Sequence, residues 1–304
     1  MNQRKLPCYP LMVKDPNFSL WVSDEFLNKS YPQTWFGERK KICGFVNIDG
    51  QKYCFLGRTD DFTPFGVKEA TQVDLKVTAF TTEYTFTAGA ATLKLKFVSP
   101  LPPDDIKLLS LPVCYMEYEL SGAEGEVTVF VGGNIAYNDI PQTQDKRVVS
   151  DSFTLDGYEA AVIGLRRQLP LSNNNDAYGA DWGYYYLSGQ HTFIADGASL
   201  VAYVKCDCHD FTCQSEDKYI GSINTAAKGI VMLGYDETVA INYFGKYLQG
   251  YYLAEHSIFD ALTCVQTNYR EIDDKLTVFD DKIRADVAAK CDGFAGEYYN
   301  VLVA

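Results

Sequence analysis

Residues 93–120, LKLKFVSPLPPDDIKLLSLPVCYMEYEL, determine the fold that we expect for this chain. The first six residues alternate between apolar and basic side chains, which is typical of a strand with one face in water. The last eight residues are rich in aromatic and apolar side chains and also indicate a strand. Prolines in the connecting segment exclude a continuous hydrogen-bonded ladder: Pro100, Pro102, Pro103 and Pro112. We therefore predict two strands joined by a stiff connection, with Asp104 and Asp105 in its middle.

Strand signals recur through the first 245 residues. Asp49-Gly50 and Asp156-Gly157 each separate two apolar segments, and such pairs suit the two-residue turn of a hairpin. Alternating segments also predict strands at residues 72–79, 82–88, 92–98, 127–136, 182–188, 199–206, 218–224 and 229–233. No helical periodicity interrupts them. The sequence therefore predicts a mainly β domain over residues 1–245, a large antiparallel β-sandwich.

The pattern changes after residue 256. Ser257 and Asp260 have the spacing of a capping box, which marks the start of a helix. Apolar residues then recur in steps of three and four along one stripe: Ile258, Leu262, Val265, Tyr269, Ile272, Leu276, Phe279, Ile283 and Val287. We expect Gly293 and Gly296 to end this helix and a second helix to begin near Glu297. Residues 246–304 are thus predicted to be a linker and an amphipathic helix, whose stripe must be covered.

Bulk composition narrows the classes of function. The formal charge of −13 repels nucleic acid phosphates and anionic lipids, so we expect neither as a partner. No apolar stretch approaches the roughly 20 residues of a membrane helix, and the first residues do not form a signal peptide. Nine scattered cysteines favour reduced thiols. The sequence predicts a cytoplasmic protein.

Several segments resemble the glutaminase A family of fungi and bacteria, in the order of that family. They are residues 11–21, residues 35–37 with the hairpin 43–53, the proline connection, residues 181–187, residues 241–248, and residues 279–286 followed by 296–299. The resemblance implies an N-terminal β-sandwich of the supersandwich type, followed by an α/α toroid like that of six-hairpin glycosidases. It also implies hydrolysis of L-glutamine to L-glutamate and ammonia. No catalytic motif of the family maps onto this sequence. We expect the sandwich to be non-catalytic or to border the site, and this chain to be inactive alone.

Aromatic residues beside loops are the best candidates for ligand binding. Trp35, Asp181 and Trp182 adjoin irregular segments, where binding residues concentrate. Tyrosines 184–186 could extend such a stacking surface. For each ring taken singly, packing in the core or between domains is the more frequent role. We predict that Trp35, Asp181 and Trp182 contact a small amide or sugar substrate.

Other polar clusters have structural interpretations that we prefer. Residues 206–213 contain three cysteines and His209, but their spacing is poor for zinc and buried thiols are commoner. Residues 173–176 with Asp181 match no calcium loop and are expected to form a polar surface. The adjacent carboxylates at 273–274 and 280–281 are expected on the solvated helix face. No nucleotide motif occurs, so we predict no metal and no cofactor.

Two further classes of function remain open. The toroid relatives and the aromatic surface suggest a fragment of a carbohydrate-active enzyme. An exposed helix stripe would instead suggest a protein-interaction domain. The expected partners are the C-terminal helical domain of the family and a small substrate, and a homo-oligomer is also open.

Overall fold

The computed structural model describes residues 5–139, 145–155, 157–172, 179–291, 293 and 295–302. It is mainly β, with 41% strand and 22% helix. The strands are β1 (Tyr9–Val13), β2 (Ser19–Val22), β3 (Ile42–Ile48), β4 (Gln51–Leu56), β5 (Lys68–Glu69), β6 (Thr71–Val77), β7 (Thr81–Ala88), β8 (Ala91–Val98), β9 (Val113–Ser121), β10 (Glu126–Gly132), β11 (Val148–Leu155), β12 (Tyr158–Leu165), β13 (Tyr184–Gly189), β14 (His191–Asp196), β15 (Lys218–Asn224), β16 (Lys228–Asp236), β17 (Ile241–Tyr243) and β18 (Lys246–Leu248). The helices are α1 (Ile106–Ser110), α2 (Gly197–Cys206), α3 (Ile258–Lys290) and α4 (Ala295–Leu302).

Two large sheets form the body of the molecule. One has six strands in the order β14-β15-β10-β3-β4-β5, and the other has eight in the order β11-β12-β13-β16-β9-β8-β7-β6. All neighbouring pairs are antiparallel except β4 and β5. Buried apolar side chains of both sheets share one core, including Phe55, Phe86, Leu95, Met116 and Val129. The predicted antiparallel sandwich is confirmed.

The stretch at 93–120 has the predicted form. Strands β8 and β9 are direct antiparallel neighbours, and the proline-rich connection between them contains α1. Asp105 caps this helix by accepting a hydrogen bond from the Leu108 amide at 3.1 Å. The Lys14 ammonium donates to the carbonyls of Pro100 at 2.6 Å and Leu108 at 3.2 Å. The connection is therefore tied to the loop after β1.

The Asp49-Gly50 turn is also confirmed. Both residues have positive φ, 51° and 81°, as a type I′ turn requires, and β3 and β4 pair on either side. The second expected turn lies partly outside the described residues, because Asp156 is not among them, while Gly157 has φ 90°. Strands β11 and β12 pair across it.

The strand predicted at residues 199–206 is wrong, because this segment is the helix α2. Asp196 caps the helix by accepting from the Ser199 amide at 3.0 Å. Leu200, Tyr203 and Val204 are buried at helical spacing against the six-stranded sheet. The segment predicted as one strand at residues 127–136 also divides, since a 3₁₀ turn follows β10.

Helix α3 lies on the outer face of the eight-stranded sheet. Its capping box forms as predicted, with the Asp260 amide donating to Ser257 Oγ at 3.1 Å. Members of its stripe pack in a second core with sheet residues such as Tyr115 and Met232: Ile258, Leu262, Val265, Ile272 and Leu276. This part of the stripe is therefore covered by the chain's own sheet and is not free for a partner. The helix ends at Lys290, but Gly296 lies inside α4 rather than ending α3.

The expectation that residues 273–274 and 280–281 are solvated is wrong for one member of each pair. Asp280 is 7% exposed and accepts a hydrogen bond from the Ala79 amide at 3.1 Å. The Arg284 guanidinium donates to Asp280 at 2.7 Å and to the Tyr299 hydroxyl at 2.7 Å. Asp273 pairs with a sheet lysine, as described below. Tertiary packing thus places half of these carboxylates at the interface between helix and sheet.

A short hairpin separates the sandwich from α3. Strands β17 and β18 pair only with each other in the described part of the chain, and the boundary expected at residue 245 falls in their turn. The hairpin exposes large apolar side chains: Ile241, Tyr243, Phe244 and Tyr247. Among the described residues, no helix is long and apolar enough to cross a membrane.

Candidate functional site at the loop end of the sandwich

Trp35 lies on an irregular segment between β2 and β3. Its indole nitrogen donates to the Pro16 carbonyl at 2.9 Å, and its ring packs edge-on against Phe36 at 5.5 Å. The side chain is nevertheless 47% exposed. A ring that is fixed at one edge and open on its face can stack on a flat substrate group.

Asp181 and Trp182 belong to the same loop region but are buried. Asp181 is 7% exposed, and its carboxylate accepts from the backbone and side-chain amides of Asn138, both at 2.9 Å. Trp182 is 5% exposed and donates to the Val239 carbonyl at 3.1 Å. Both residues hold loops together in this structure. Their ligand-binding role stays a prediction, and Trp35 is the most exposed of the three predicted residues.

Asn17 connects these loops. Its side-chain oxygen accepts from the Ala180 amide at 3.0 Å, and its carbonyl accepts from the Tyr185 hydroxyl at 2.7 Å. Tyr185 stacks against Tyr235 with ring centroids 4.5 Å apart. The loop after β1, the loop before β13 and the end of β16 therefore form one continuous loop end, which we define by residues 15–18, 35–36, 179–183 and 236–239.

Two carboxyls with raised pKa values lie in this loop end. Burial, together with the charges of Asp15 and Asp236, raises the pKa of Glu237 to about 7. Burial also raises the pKa of Asp15, although the amides of Phe18 and Asn17 donate to it and oppose the shift. A carboxyl that titrates near neutral pH can either donate or accept a proton there.

A buried lysine lies at the neighbouring edge. Lys40 is 2% exposed and donates to Glu38 at 2.8 Å and to the Tyr137 carbonyl at 2.6 Å. Burial lowers the pKa of Lys40, while the charges of Glu38 and Asp181 oppose this shift. The loop end thus combines a half-exposed indole with two carboxyls of raised pKa, and a buried lysine lies beside it. A half-exposed indole beside polar loop groups can stack on a polar planar group, such as an amide.

The other sequence candidates lie apart from this region. In segment 206–213, Cys206 is exposed at the end of α2, and His209 Nε2 lies 3.2 Å from the Glu126 carboxylate. Across the described residues, no three His, Cys, Asp or Glu side chains cluster in a way that could hold a metal ion. The loop weighed for calcium, residues 173–176, lies outside the described residues.

Sequence reasoning missed Asp15, Glu237 and Lys40. Asp15 and Glu237 are more than two hundred positions apart in the sequence, so no local pattern joins them. Lys40 follows a loop and gives no apolar periodicity that would predict burial. The one available signal was the turn Asp15-Pro16-Asn17, which marks a loop with side chains able to bind backbone amides.

Two protein families and a curated relative match this chain. Residues 81–286 match the family described as a domain of unknown function (DUF5127), and residues 2–63 match another described as a domain of unknown function (DUF4964). The chain is also similar to a protein named Glutaminase A from Aspergillus oryzae, with 25% identity over 276 residues. That match covers 79% of this chain and 38% of the relative. The chain therefore spans less than half the length of this curated relative.

Proposed function

Because the chain belongs to the family described as a domain of unknown function (DUF5127), which includes most of its sandwich, we propose that it is the β-sandwich part of a glutaminase A-like amidohydrolase. The proposed reaction is attack of water on the side-chain carbonyl of L-glutamine, which releases ammonia and leaves L-glutamate. The observation that carries this proposal is the similarity to Glutaminase A across 79% of the chain. It supports a glutaminase-like relationship, and the substrate is our proposal.

The loop end supports a role for the sandwich at the border of the site. The exposed part of the Trp35 ring could pack against the substrate, and Glu237 could donate a hydrogen bond to it or accept one from it near neutral pH. The residues that carry the chemistry are expected in a region like the part of the Aspergillus relative that this chain does not span. We therefore propose that the chain binds and orients rather than hydrolyses. We propose that Asp181 and Trp182 position the loops at this border of the site.

Ammonia release from L-glutamine tests the proposed function. Residues 1–304 alone should release no ammonia above background, and a chain that continues as the Aspergillus relative does should release it with L-glutamate in equal amounts. Asparagine and N-acetylglucosamine serve as competing substrates in the same assay. If the longer chain binds and turns over only sugars, the amidohydrolase proposal fails.

The exposed hairpin β17–β18 supports a contact with the remaining part of the longer protein. Phe244 has φ 48°, which bulky residues rarely adopt, and its ring is 93% exposed. A two-stranded hairpin is marginal in water without a covering surface. We propose that the following helical domain covers it. Amides of residues 241–248 should then exchange more slowly in the longer chain than in residues 1–304, and equal rates would exclude this contact.

A carbohydrate-active enzyme is the second candidate, and the open indole of Trp35 favours it, since sugars stack on such rings. A glycan array with the unsubstituted chain and Trp35→Ala separates the two proposals. Binding that is lost in the variant would favour a sugar ligand. We propose a cytoplasmic location, which the nine unpaired thiols support.

A further inference from the structure

Three charged side chains meet where α3 crosses the outer face of the eight-stranded sheet. Lys96 on β8 lies 3.1 Å from a carboxylate oxygen of Glu117 on β9 and also forms a salt bridge with Asp273 on α3. The Tyr115 hydroxyl donates to the other oxygen of Asp273 at 3.0 Å. One ammonium group therefore serves two carboxylates that come from different elements.

This cluster is only partly open to water. The side chains of Lys96 and Glu117 are each 27% exposed, and that of Asp273 is 16% exposed. The cluster borders a cleft of about 470 Å³. The other titratable or charged groups that face it are Glu83 on β7, Lys94 on β8, Tyr115 and Glu119 on β9, Lys228 on β16, and Tyr269 and Arg270 on α3.

Lys96, Glu117 and Asp273 together carry one net negative charge, and among the described residues none of these neighbours forms a salt bridge with either carboxylate. Glu83 lies opposite Lys96 in the sheet, and its own partner is Lys76 at 3.2 Å. Glu119 lies between Lys94 and Lys228, so this neighbouring row carries one net positive charge, and among the described residues neither lysine forms a salt bridge with Glu117 or Asp273. The Arg270 guanidinium lies 5.5 Å from the centre of the Tyr269 ring and donates to its hydroxyl at 3.1 Å. Two carboxylates thus compete for one lysine.

We propose that Lys96, Glu117 and Asp273 form a proton-dependent clamp between the sheet and α3, which tightens when Glu117 takes up a proton from solvent. The neutral carboxyl can donate a hydrogen bond to Asp273, and Lys96 then balances the single remaining carboxylate. The proton moves between water and Glu117, and no other bond changes. The clamp concerns how α3 is held and does not depend on the proposed hydrolase activity.

The protonation of Glu117 agrees with this geometry. Burial, together with the hydrogen bond and charge of Asp273, raises the pKa of Glu117 to about 7, although Lys96 opposes this shift. When α3 lifts away, Asp273 leaves and the carboxyl returns toward its ordinary pKa. The docked state therefore binds the proton more tightly than the lifted state, so lower pH favours docking and the clamp weakens as pH rises through 7.

Amide hydrogen exchange along α3 between pH 5.5 and 8.5 tests the clamp in the unmodified chain. After correction for intrinsic exchange, the opening equilibrium of the turns around Asp273 should rise about tenfold across this range. This change is smaller than the full pKa difference would give, because solvent screens the partly exposed charges. The first turns of α3, where Leu262 and Val265 are fully buried, should change less.

Two glutamine variants make the test specific. Glu117→Gln keeps a neutral hydrogen-bond donor at the cluster, so the turns around Asp273 should stay protected at every pH. Glu83→Gln removes a carboxylate from the same sheet face that pairs with Lys76, and it should keep the pH response. Circular dichroism confirms that each variant is folded. A pH-independent opening in the unmodified chain, or an unchanged response in Glu117→Gln, would overturn the proposal.

Discussion

Replacing Leu262 by alanine tests whether α3 is an integral part of the sandwich. Leu262 is fully buried in the second core, between the helix and the outer face of the sheet. Removing a buried leucine side chain down to its Cβ costs about 3 kcal/mol, from lost burial and from the cavity that remains. In a chain of 304 residues, that loss lowers the melting temperature by roughly 5 °C.

Thermal and urea unfolding, followed by circular dichroism and tyrosine fluorescence, measure this effect. Val278→Ala is the matched control, because Val278 lies on the same helix and is 70% exposed. We expect that control to change stability by less than about 0.5 kcal/mol. If Leu262→Ala and Val278→Ala unfold at the same temperature, α3 does not bury its stripe on the sheet and our description of the second core is wrong.

Two further substitutions test the loop end. Gly183→Ala should destabilise the chain by about 2 kcal/mol or more in urea unfolding, since its φ is 90° and a Cβ would lie 2.7 Å from the Asp236 carbonyl oxygen. An unaffected midpoint would show that this turn is not as tight as the structure indicates. Glu237 has a folded pKa of about 7, above its ordinary value near 4.5, so its contribution to stability is present below pH 4.5 and is lost as pH rises to about 7. Melting temperatures at pH 5 and pH 8 should therefore differ less in Glu237→Gln than in the unmodified chain, and equal differences would contradict the burial of this carboxyl.

The fold was predicted mainly from short sequence signals, such as turns and helix caps. The Asp49-Gly50 turn fixes a hairpin through the backbone of two adjacent residues, and the Ser257–Asp260 capping box fixes the start of α3 in the same way. Helix α2 was missed because its short segment has apolar and β-branched residues that also suit a strand. Its cap, Asp196, is a single residue that only the structure places against the Ser199 amide.

Less of the candidate site could be predicted from the sequence. Trp35 and Trp182 looked equivalent as aromatic residues beside loops, yet one ring is half open and the other is buried. Burial of this kind depends on which loops meet, and the sequence gives no distance between the loops after β1 and β16. The charge pairing of Asp273 was hidden for the same reason, because its partner is on a strand far away in the chain.

The central claim is tested most directly by measuring kcat/KM for L-glutamine in a longer chain that continues past residue 304. The measurement compares the variants Trp35→Ala and Phe26→Ala. Both rings are exposed, 47% and 41%, but only Trp35 lies at the loop end. If the loop end borders the substrate, Trp35→Ala should lower kcat/KM about two- to tenfold, as expected from the loss of one aromatic contact. Phe26→Ala should leave kcat/KM unchanged. Equal values for both variants and the unmodified chain would contradict a substrate-binding role for this end of the sandwich.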